Sequence, residues 1–430
     1  MQDGKVVKLV PDETRYPYDT SVSARCVRWG LNIEKLYDKS RINYPLRRVG
    51  KRGSGKFERV SWDEALSDIS SKLKKLIEQY GGHTLASCIG GPHAVYWPLH
   101  RLMSYVQSPN NMGIGPICWN PRIWMDTMTY GWSIECDLRP GLTGCLILWG
   151  TNPAESDNSL FWRNVSDFVR GGGKLIVVDT RRSITAAKAS VWLHPFPGTD
   201  IVLAYGLARI IIEENLCDDD FIQKWCYGFE EFKQEAFSYT LEQVSNITKV
   251  SIGDMQKAAR LYAGDYPSAL LSGRGVDQIG PNTAPLHRTL ASLRAITGNV
   301  DVPGACCINE APRFASELEL EGSLELSSEA KKHCLNVGLE GEQDCGLQSY
   351  SGYALADERT SKLGKHLPMR YLTSALPARV WNAAINYEPY RVSALIVDAA
   401  NPLVTYADTN LVMRALEAME IGRASCRERV

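Results

Sequence analysis

The chain has 430 residues, of which 44% are hydrophobic and 23% are charged. This length and composition are typical of a folded protein with two or more domains, and they exclude a disordered chain and a membrane chain. The formal net charge of -1 gives no electrostatic reason to expect nucleic acid or an acidic membrane as a partner.

The first predicted elements are a strand over 4–10 and a helix that begins after Ser61. Ser61 and Glu64 have the spacing of a capping box, and Gly81 follows the helix as a stop signal. The polar and aromatic stretch that follows this helix, through Cys118 to Gly131, is expected to form helix and loop. The helix after Ser61 is expected to bury its apolar residues, which are spaced three or four apart: Ala65, Leu66, Ile69, Leu73, Leu76 and Ile77.

From residue 144 onward the pattern alternates between strands and helices. Strands are predicted over 144–149, 174–179, 268–272 and 393–399, and helices over 158–170, 201–214, 253–264, 283–297 and 408–419. This alternation predicts an α/β fold in which helices cover both faces of parallel sheets. The segment 309–370 has little periodicity and is expected to be a long surface excursion between two α/β lobes.

Both ends of the chain are expected to be non-native. Met1 precedes a strand-like run rather than a cationic and apolar leader, and residues 421–430 match the in-frame translation of a common sequencing adapter. The predicted fold therefore excludes 421–430, including Cys426. The chain is expected to be a piece of a longer protein, and its compartment stays open between the cytoplasm and export.

Most of the 12 cysteines lack the spacing of a zinc site or a disulfide framework and are expected to be buried thiols. Cys118 differs because it lies in a run, 112–121, that contains two glycines and two prolines. These residues disfavour a helix or a central strand, so the run is expected to present the thiol from a loop. A thiolate presented in this way is a soft metal ligand. From the local sequence alone, a buried structural thiol remains the alternative.

Polar residues follow the predicted strands at the positions where open α/β sheets bind nucleotide-like ligands. The alternatives are plain turns, a solvated charge cluster and, at the start of helix 201–214, capping by Thr199 or Asp200. The candidate residues are Gly150, Asn152, Asp179, Arg181, Arg182, Gly198 and Asp200.

Four motifs occur in a fixed order: Ser108-Pro109-Asn110 with Cys118 eight residues further on, then 146–153, 177–182 and 197–200. Together they resemble the DMSO reductase family, the large catalytic subunits that carry a molybdenum or tungsten bis-molybdopterin guanine dinucleotide cofactor. The resemblance implies two doubly wound α/β lobes, one inserted in the other. The implied domains are a remnant of an N-terminal iron-sulfur domain over 1–45, a discontinuous lobe of 46–113 with 335–420, and a pterin-dinucleotide-binding lobe over 114–334.

The resemblance also implies roles for individual residues. Cys118 would be the protein ligand of the metal, with Trp119 beside it. Cys26 would be the last cysteine of a 4Fe-4S cluster, with Arg28 between cluster and pterin; one cysteine cannot hold such a cluster, so the other ligands would lie elsewhere. The implied cofactor-binding residues are Gly150, Asn152, Asp179, Arg181, Arg182, Gly198, Asp200, Arg274 and Asn401.

Three functions remain open within this resemblance. The first is a redox enzyme that acts on a small molecule, with an iron-sulfur electron-transfer subunit as a possible partner. The second is a non-redox hydratase or hydroxyl-transferring enzyme, since residues 225–233 and the gap before Cys118 are similar to the acetylene hydratase branch. The third is a pterin-free structural subunit, which the retention of Cys118, Asp179 and Asp200 disfavours. His93, His100, His194 and His287 lack partner motifs and are expected to be structural or surface residues.

Overall fold

The computed structural model describes residues 2–9, 27–90, 97–113, 118–131, 133–156, 160–280, 282–308, 326–335 and 375–424, with Ala354 and Glu358. The chain divides into two compact units. The first unit comprises Met1–Tyr37 and Cys118–Ala311, and the second comprises Asp38–Ile117 and Pro312–Val430. Each unit has its own parallel four-stranded sheet. The predicted lobe limits stay predictions.

The described strands are, in chain order, β1 Leu46–Arg48, β2 Phe57–Arg59, β3 Leu85–Ile89, β4 Asn111–Met112, β5 Ile134–Cys136, β6 Cys145–Trp149, β7 Lys174–Val178, β8 Val191–Leu193, β9 Ser268–Ser272, β10 Cys306–Ile308, β11 Ala394–Asp398 and β12 Ile421–Ala424. The described α-helices are α1 Val27–Tyr37, α2 Trp62–Tyr80, α3 Trp97–Tyr105, α4 Asn120–Tyr130, α5 Pro153–Ser156, α6 Leu160–Arg170, α7 Asp200–Glu213, α8 Asp219–Trp225, α9 Phe229–Ala236, α10 Leu241–Thr248, α11 Ile252–Gly264, α12 Arg274–Asp277, α13 Thr283–Ile296, α14 Ser328–Lys332, α15 Pro377–Asn386, α16 Pro402–Thr405 and α17 Thr409–Ala418.

The sheet of the first unit has the strand order β8-β7-β6-β9, and all its pairs are parallel. Every residue of the central strand β6 is buried. Because side chains alternate along a strand, Leu146 and Leu148 pack with Phe168 of α6, whereas Ile147 packs in a second cluster with Leu203 of α7. Helices therefore cover both faces of this sheet, as the alternating pattern predicts.

The sheet of the second unit has the order β12-β11-β3-β4, again with parallel pairs. Leu395 of β11 packs on one face with Trp381 of α15, and Ala394 packs on the other face with Leu76 of α2. The predicted strand over 393–399 and the predicted helix over 408–419 are confirmed here as β11 and α17.

Asn110 lies at the centre of a buried hydrogen-bond network in the second unit. Its side-chain amide donates to the carbonyl oxygen of His83 at 2.8 Å and to the hydroxyl of Tyr390 at 2.8 Å. Its side-chain oxygen accepts from the N–H of Leu335 at 3.3 Å. Ser108 donates to the carbonyl oxygen of Leu85 at 2.6 Å. The Ser-Pro-Asn motif thus ties β3, β4 and the segment 326–335 together.

Two predictions near the N-terminus are wrong. Residues 2–9 contain one isolated bridge between Gln2 and Lys5 instead of a strand, and Val7 is exposed. Leu66 is also exposed, since α2 buries only a narrow stripe centred on Leu76. Ser61 caps α2 as predicted by accepting the N–H of Glu64 at 3.1 Å.

Residues 421–424, which the predicted fold excludes, form β12 and pair in parallel with β11. An edge strand needs only backbone hydrogen bonds, so pairing does not depend on a matching side-chain pattern. The adapter origin of 421–430 stays a prediction. Part of the predicted excursion also belongs to the core, because Ala330, Cys334 and Leu335 are buried. Apart from 326–335, Ala354 and Glu358, the residues of 309–370 lie outside the described part of the chain.

Candidate functional site

The carboxyl ends of β6, β7, β8 and β9 lie along one edge of the first sheet. Gly150 follows β6, Asp179 follows β7, Asp200 follows the turn after β8, and Arg274 follows β9. β7 and β8 lie on one side of β6 and β9 lies on the other. The strand order therefore reverses between β6 and β9, and such a switch point is where open α/β sheets bind ligands.

Two glycine turns meet at this switch point. The N–H of Gly273 donates to the carbonyl oxygen of Trp149 at 2.8 Å. A Cβ on Gly273 would lie 2.4 Å from the carbonyl oxygen of Gly150, and a Cβ on Gly150 would lie 2.5 Å from Cγ2 of Val276. Gly150 also has a φ of 60°. Only glycine allows the two turns to approach this closely. This close approach explains why the turn after β6 has a glycine at position 150.

Hydrogen bonds and one ion pair connect the turns after β6 and β7. Thr185 donates its hydroxyl to the side-chain oxygen of Asn152 at 2.6 Å. The guanidinium of Arg181 pairs with Glu155 at 2.9 Å, and the Arg181 N–H donates to Asp179 at 2.9 Å. Arg181 and Arg182 are both exposed at this edge. The two turns thus form one polar rim with guanidinium groups facing solvent.

Asp200 is a buried carboxylate in the first turn of α7. Its Oδ1 accepts the indole N–H of the fully buried Trp149 at 2.8 Å. Burial raises the pKa of Asp200, and the hydrogen bond from Trp149 opposes that rise. Thr199 occupies the capping position of α7, but its hydroxyl donates to Phe196 and makes no cap. Gly198 precedes it with a φ of 85°.

Cys118 is a half-buried free thiol in the turn before α4. Trp119 occupies the capping position of α4, and the Arg274 guanidinium carbon lies 5.8 Å from the centroid of its indole. This contact joins the turn after β9 to the segment that carries Cys118. Among the described residues, no group of three His, Cys, Asp or Glu side chains is arranged as a metal site.

Sequence reasoning missed a cluster of buried charged residues next to this edge, on α4, α12 and α13. Arg294 lies 3.6 Å from Asp126, and His287 lies 2.9 Å from Asp277. Burial raises the pKa of Asp126 to about 6, and burial lowers the pKa of His287. Arg122 completes the cluster. In the sequence, the only sign of this cluster is that charged residues occupy helix positions that the fold buries.

Three predicted residues come from parts of the chain other than the turns that follow β6, β7, β8 and β9. Asn401 belongs to the second unit, where it precedes α16 after β11. Cys26 lies outside the described residues. Arg28 lies in α1. The roles of all the predicted site residues stay predictions.

The model of the molybdopterin oxidoreductase family matches residues 41–421. The chain belongs to the molybdopterin oxidoreductase family. The family resemblance and the α/β fold expected from the sequence are therefore confirmed. Membership implies a molybdopterin cofactor with molybdenum or tungsten.

Two members of this family resemble the chain over most of its length. Acetylene hydratase of Syntrophotalea acetylenica is 30% identical over 96% of this chain and 56% of its own. Formate dehydrogenase H of Escherichia coli is 27% identical over 98% of this chain and 56% of its own. The chain thus spans about half the length of these curated relatives.

A solved structure supports the same assignment. Acetylene hydratase from Pelobacter acetylenicus superposes with a TM-score of 0.82 and 29% sequence identity, over 93% of this chain and 55% of its own. Among the described residues, no helix is both long and apolar enough to cross a membrane.

Proposed function

We propose that this molybdopterin oxidoreductase family member binds a bis-molybdopterin guanine dinucleotide along the carboxyl edge of the first sheet, with Cys118 as the protein ligand of molybdenum or tungsten. The observation that carries the proposal is that Gly150, Asp179, Asp200 and Arg274 all follow strands at the carboxyl edge of one sheet, which includes the switch point between β6 and β9. A dinucleotide suits this edge because its diphosphate needs close backbone approach and its sugars need polar partners.

The glycine turns fit a diphosphate. Substituting either Gly150 or Gly273 would place a Cβ in van der Waals overlap with the opposing turn. The exposed guanidinium groups of Arg181 and Arg182 supply charge for phosphate oxygens, because planar guanidinium groups form paired hydrogen bonds to them. Asp179 offers a half-buried carboxylate for sugar hydroxyls.

Asp200 fits the guanine end of the dinucleotide. The edge of guanine carries a ring N–H and an exocyclic amine that can donate in parallel to one carboxylate. Asp200 is buried with a raised pKa, so further donors would stabilise its ionised form. The indole of Trp149 fixes the position of one carboxylate oxygen.

When bound, the cofactor supplies a metal that acts as a Lewis acid or changes oxidation state. The chain contributes the remaining functions of the site. Cys118 would supply a thiolate ligand, because a cysteine thiol loses its proton when it coordinates a metal. Trp119, directly after it, provides a bulky apolar side chain that narrows the space beside the thiol and excludes water.

We propose first that the chain is the catalytic part of an oxidoreductase that acts on a small molecule. Electron relay would use a 4Fe-4S cluster held in part by Cys26, with Arg28 between cluster and pterin, and an iron-sulfur partner subunit. The second candidate is an acetylene hydratase-like reaction without net redox. Trp119 beside Cys118 favours it, because an indole at this position suits a small apolar substrate.

A paired activity assay separates these two reactions. The anaerobic holoenzyme is given acetylene without an electron acceptor, and in parallel it is given small-molecule substrates with a redox dye. Acetaldehyde formation without acceptor supports the hydratase. Dye-coupled turnover alone supports the oxidoreductase.

The metal-ligand role is tested with Cys118→Ala in the full-length holoenzyme. We expect turnover to fall at least about 100-fold while the melting temperature changes little, because the substitution removes a ligand from a half-buried position. Cys226→Ala is the matched control, since Cys226 is also a half-buried free thiol. Unchanged turnover in Cys118→Ala would overturn the assignment.

A further inference from the structure

Asp277 and His287 form a buried pair that the proposed function does not use. His287 on α13 is 2% exposed at its side chain, and the Asp277 side chain is fully buried. Nε2 of His287 lies 2.9 Å from Oδ1 of Asp277, although the ring N–H is not aligned with this oxygen as in a standard hydrogen bond. Arg122 and Arg294 lie near enough to His287 to disfavour its protonation.

The other oxygen of Asp277 holds Arg274. NH1 of Arg274 lies 3.1 Å from Oδ2 of Asp277, while half of the Arg274 side chain stays exposed. The same guanidinium lies over the indole of Trp119, at a distance where a cation and an aromatic ring attract each other. The contacts therefore run from His287 to Asp277, from Asp277 to Arg274, and from Arg274 to the residue next to Cys118.

This arrangement is a poor device for stability alone. A buried carboxylate loses its hydration whether or not the neighbouring imidazole is protonated, and apolar residues of similar volume often stabilise a fold as well or better. A buried Asp-His pair is better explained if it fixes the position of a third side chain that contacts it. Arg274 is such a group, because a long side chain on the four-residue helix α12 otherwise has many rotamers.

We propose that Asp277 and His287 are positioning residues, which hold Arg274 against Trp119 and thereby fix the segment that presents Cys118. This inference rests on the proposed role of Cys118 as a metal ligand. Asp277 acts directly on Arg274, and His287 acts through Asp277. Neither residue needs to contact the cofactor or the substrate.

The test is a double-mutant cycle read out on Cys118 itself. The full-length, metal-free protein is treated with iodoacetamide, and the alkylation rate of the Cys118 peptide is followed by mass spectrometry. Asp277→Asn and Arg274→Gln are each expected to raise this rate roughly threefold to tenfold, and the double variant is expected to add nothing further. His287→Gln, which keeps a side-chain N–H donor, is expected to change it less than His287→Leu.

Asp126→Asn is the matched control. It neutralises another buried carboxylate of the same unit, one whose nearest charged partner is Arg294 instead of Arg274. Its Cys118 alkylation rate is expected to equal that of the wild type. An equal rise in Asp126→Asn would mean that any buried charge change loosens the segment, and would overturn the proposal.

Two further results would also overturn it. One is multiplicative effects of Asp277→Asn and Arg274→Gln, because independent contributions mean that Asp277 does not act through Arg274. The other is an unchanged rate in Arg274→Gln, whose half-exposed side chain allows substitution without a new buried group. Failure of the proposed function is distinguishable, because it would appear as an active Cys118→Ala holoenzyme whatever the alkylation rates.

In the holoenzyme, the same variants separate positioning from binding. Asp277→Asn is expected to lower kcat by roughly tenfold with KM changed less than about twofold, since a displaced ligand segment affects the reacting geometry more than substrate capture. The pterin content of Asp277→Asn, measured by fluorescence after oxidation, is expected to stay at the wild-type level, because Asp277 itself is not proposed to contact the cofactor. A normal kcat in Asp277→Asn would contradict the inference.

Discussion

The buried carboxylate of Asp126 gives a prediction whose sign and size follow from its surroundings. Asp126 on α4 is 1% exposed, and neither of its oxygens accepts a hydrogen bond from the part of the chain that the structure describes. Its nearest charged partner is Arg294, at 3.6 Å. Burial outweighs this attraction and raises the pKa of Asp126 from 3.8 to about 6.

The raised pKa makes ionised Asp126 destabilising. A pKa of about 6 in place of 3.8 means that ionisation is roughly 3 kcal/mol less favourable in the folded chain than in the unfolded chain. Below pH 3.8 the group is protonated in both states and has no effect on stability. As the pH rises from about 4 to 6, the unfolded chain releases the proton first, and the folded state loses stability.

Asp126→Asn copies the shape of the protonated acid and removes this pH dependence. We expect it to raise the free energy of unfolding at pH 7 by roughly 1 to 3 kcal/mol relative to the wild type, the lower value allowing for the lost attraction to Arg294. At pH 4 the two proteins are expected to differ by less than about 0.5 kcal/mol.

Urea unfolding at a series of pH values measures this difference directly. The wild type and Asp126→Asn are compared between pH 4 and 7 at constant ionic strength, and the difference in unfolding free energy is plotted against pH. If the difference in unfolding free energy does not grow with pH, burial does not raise the pKa of Asp126. A variant that is less stable than the wild type at pH 7 would show that the pair with Arg294 dominates.

Two further predictions concern the glycine turns and the Ser-Pro-Asn motif. Gly273→Ala is expected to destabilise the chain by roughly 1 to 3 kcal/mol and to reduce pterin content, because its Cβ would lie 2.4 Å from the carbonyl oxygen of Gly150; Gly253→Ala, where a Cβ meets no atom within 4 Å, is the control. Wild-type pterin content in Gly273→Ala would contradict the proposed cradle. Asn110→Ala is expected to lower the free energy of unfolding by roughly 2 to 4 kcal/mol, since it leaves the carbonyl of His83 and the N–H of Leu335 without this partner. A loss below about 0.5 kcal/mol in denaturant unfolding would show that the motif does not hold the second unit together.

Four strands of the two parallel sheets, β6, β7, β9 and β11, were predicted from their apolar composition, whereas β3, β4 and β8 were not predicted and β12 was excluded from the predicted fold. β6 and β7 are short apolar runs that end in polar turns, and strands buried on both faces have this composition. The run at 4–10 has a similar apolar alternation, but its residues 4–9 do not pair with any strand that the structure describes. Local pattern indicates that a segment favours extended structure, whereas pairing depends on a partner elsewhere in the chain.

The candidate site was predictable only in part. Turn positions such as Gly150 and Asp200 follow from where the strands end. The hydrogen bond from the indole of Trp149 to Asp200 could not be predicted from the strand ends, because it joins residues 51 positions apart. The spacing of Arg122 and Asp126 also fits an exposed helical ion pair, and only tertiary packing buries both residues.

The contacts of His287 could not be predicted from the local sequence either. The sequence places it in a helix without a partner motif, so a structural or surface role is expected. The fold brings it to Asp277 and, through Arg274, to the segment of Cys118. That connection depends on the packing of α12 against α13 and has no local signature.

X-ray absorption at the molybdenum or tungsten edge of the holoenzyme tests the central claim most directly. The wild type is compared with Cys118→Ser, which exchanges the thiol for a hydroxyl at the same position. We predict that the variant loses one sulfur from the metal's coordination shell and gains an oxygen or nitrogen. An unchanged number of sulfur ligands in Cys118→Ser would contradict the assignment of Cys118 as the metal ligand.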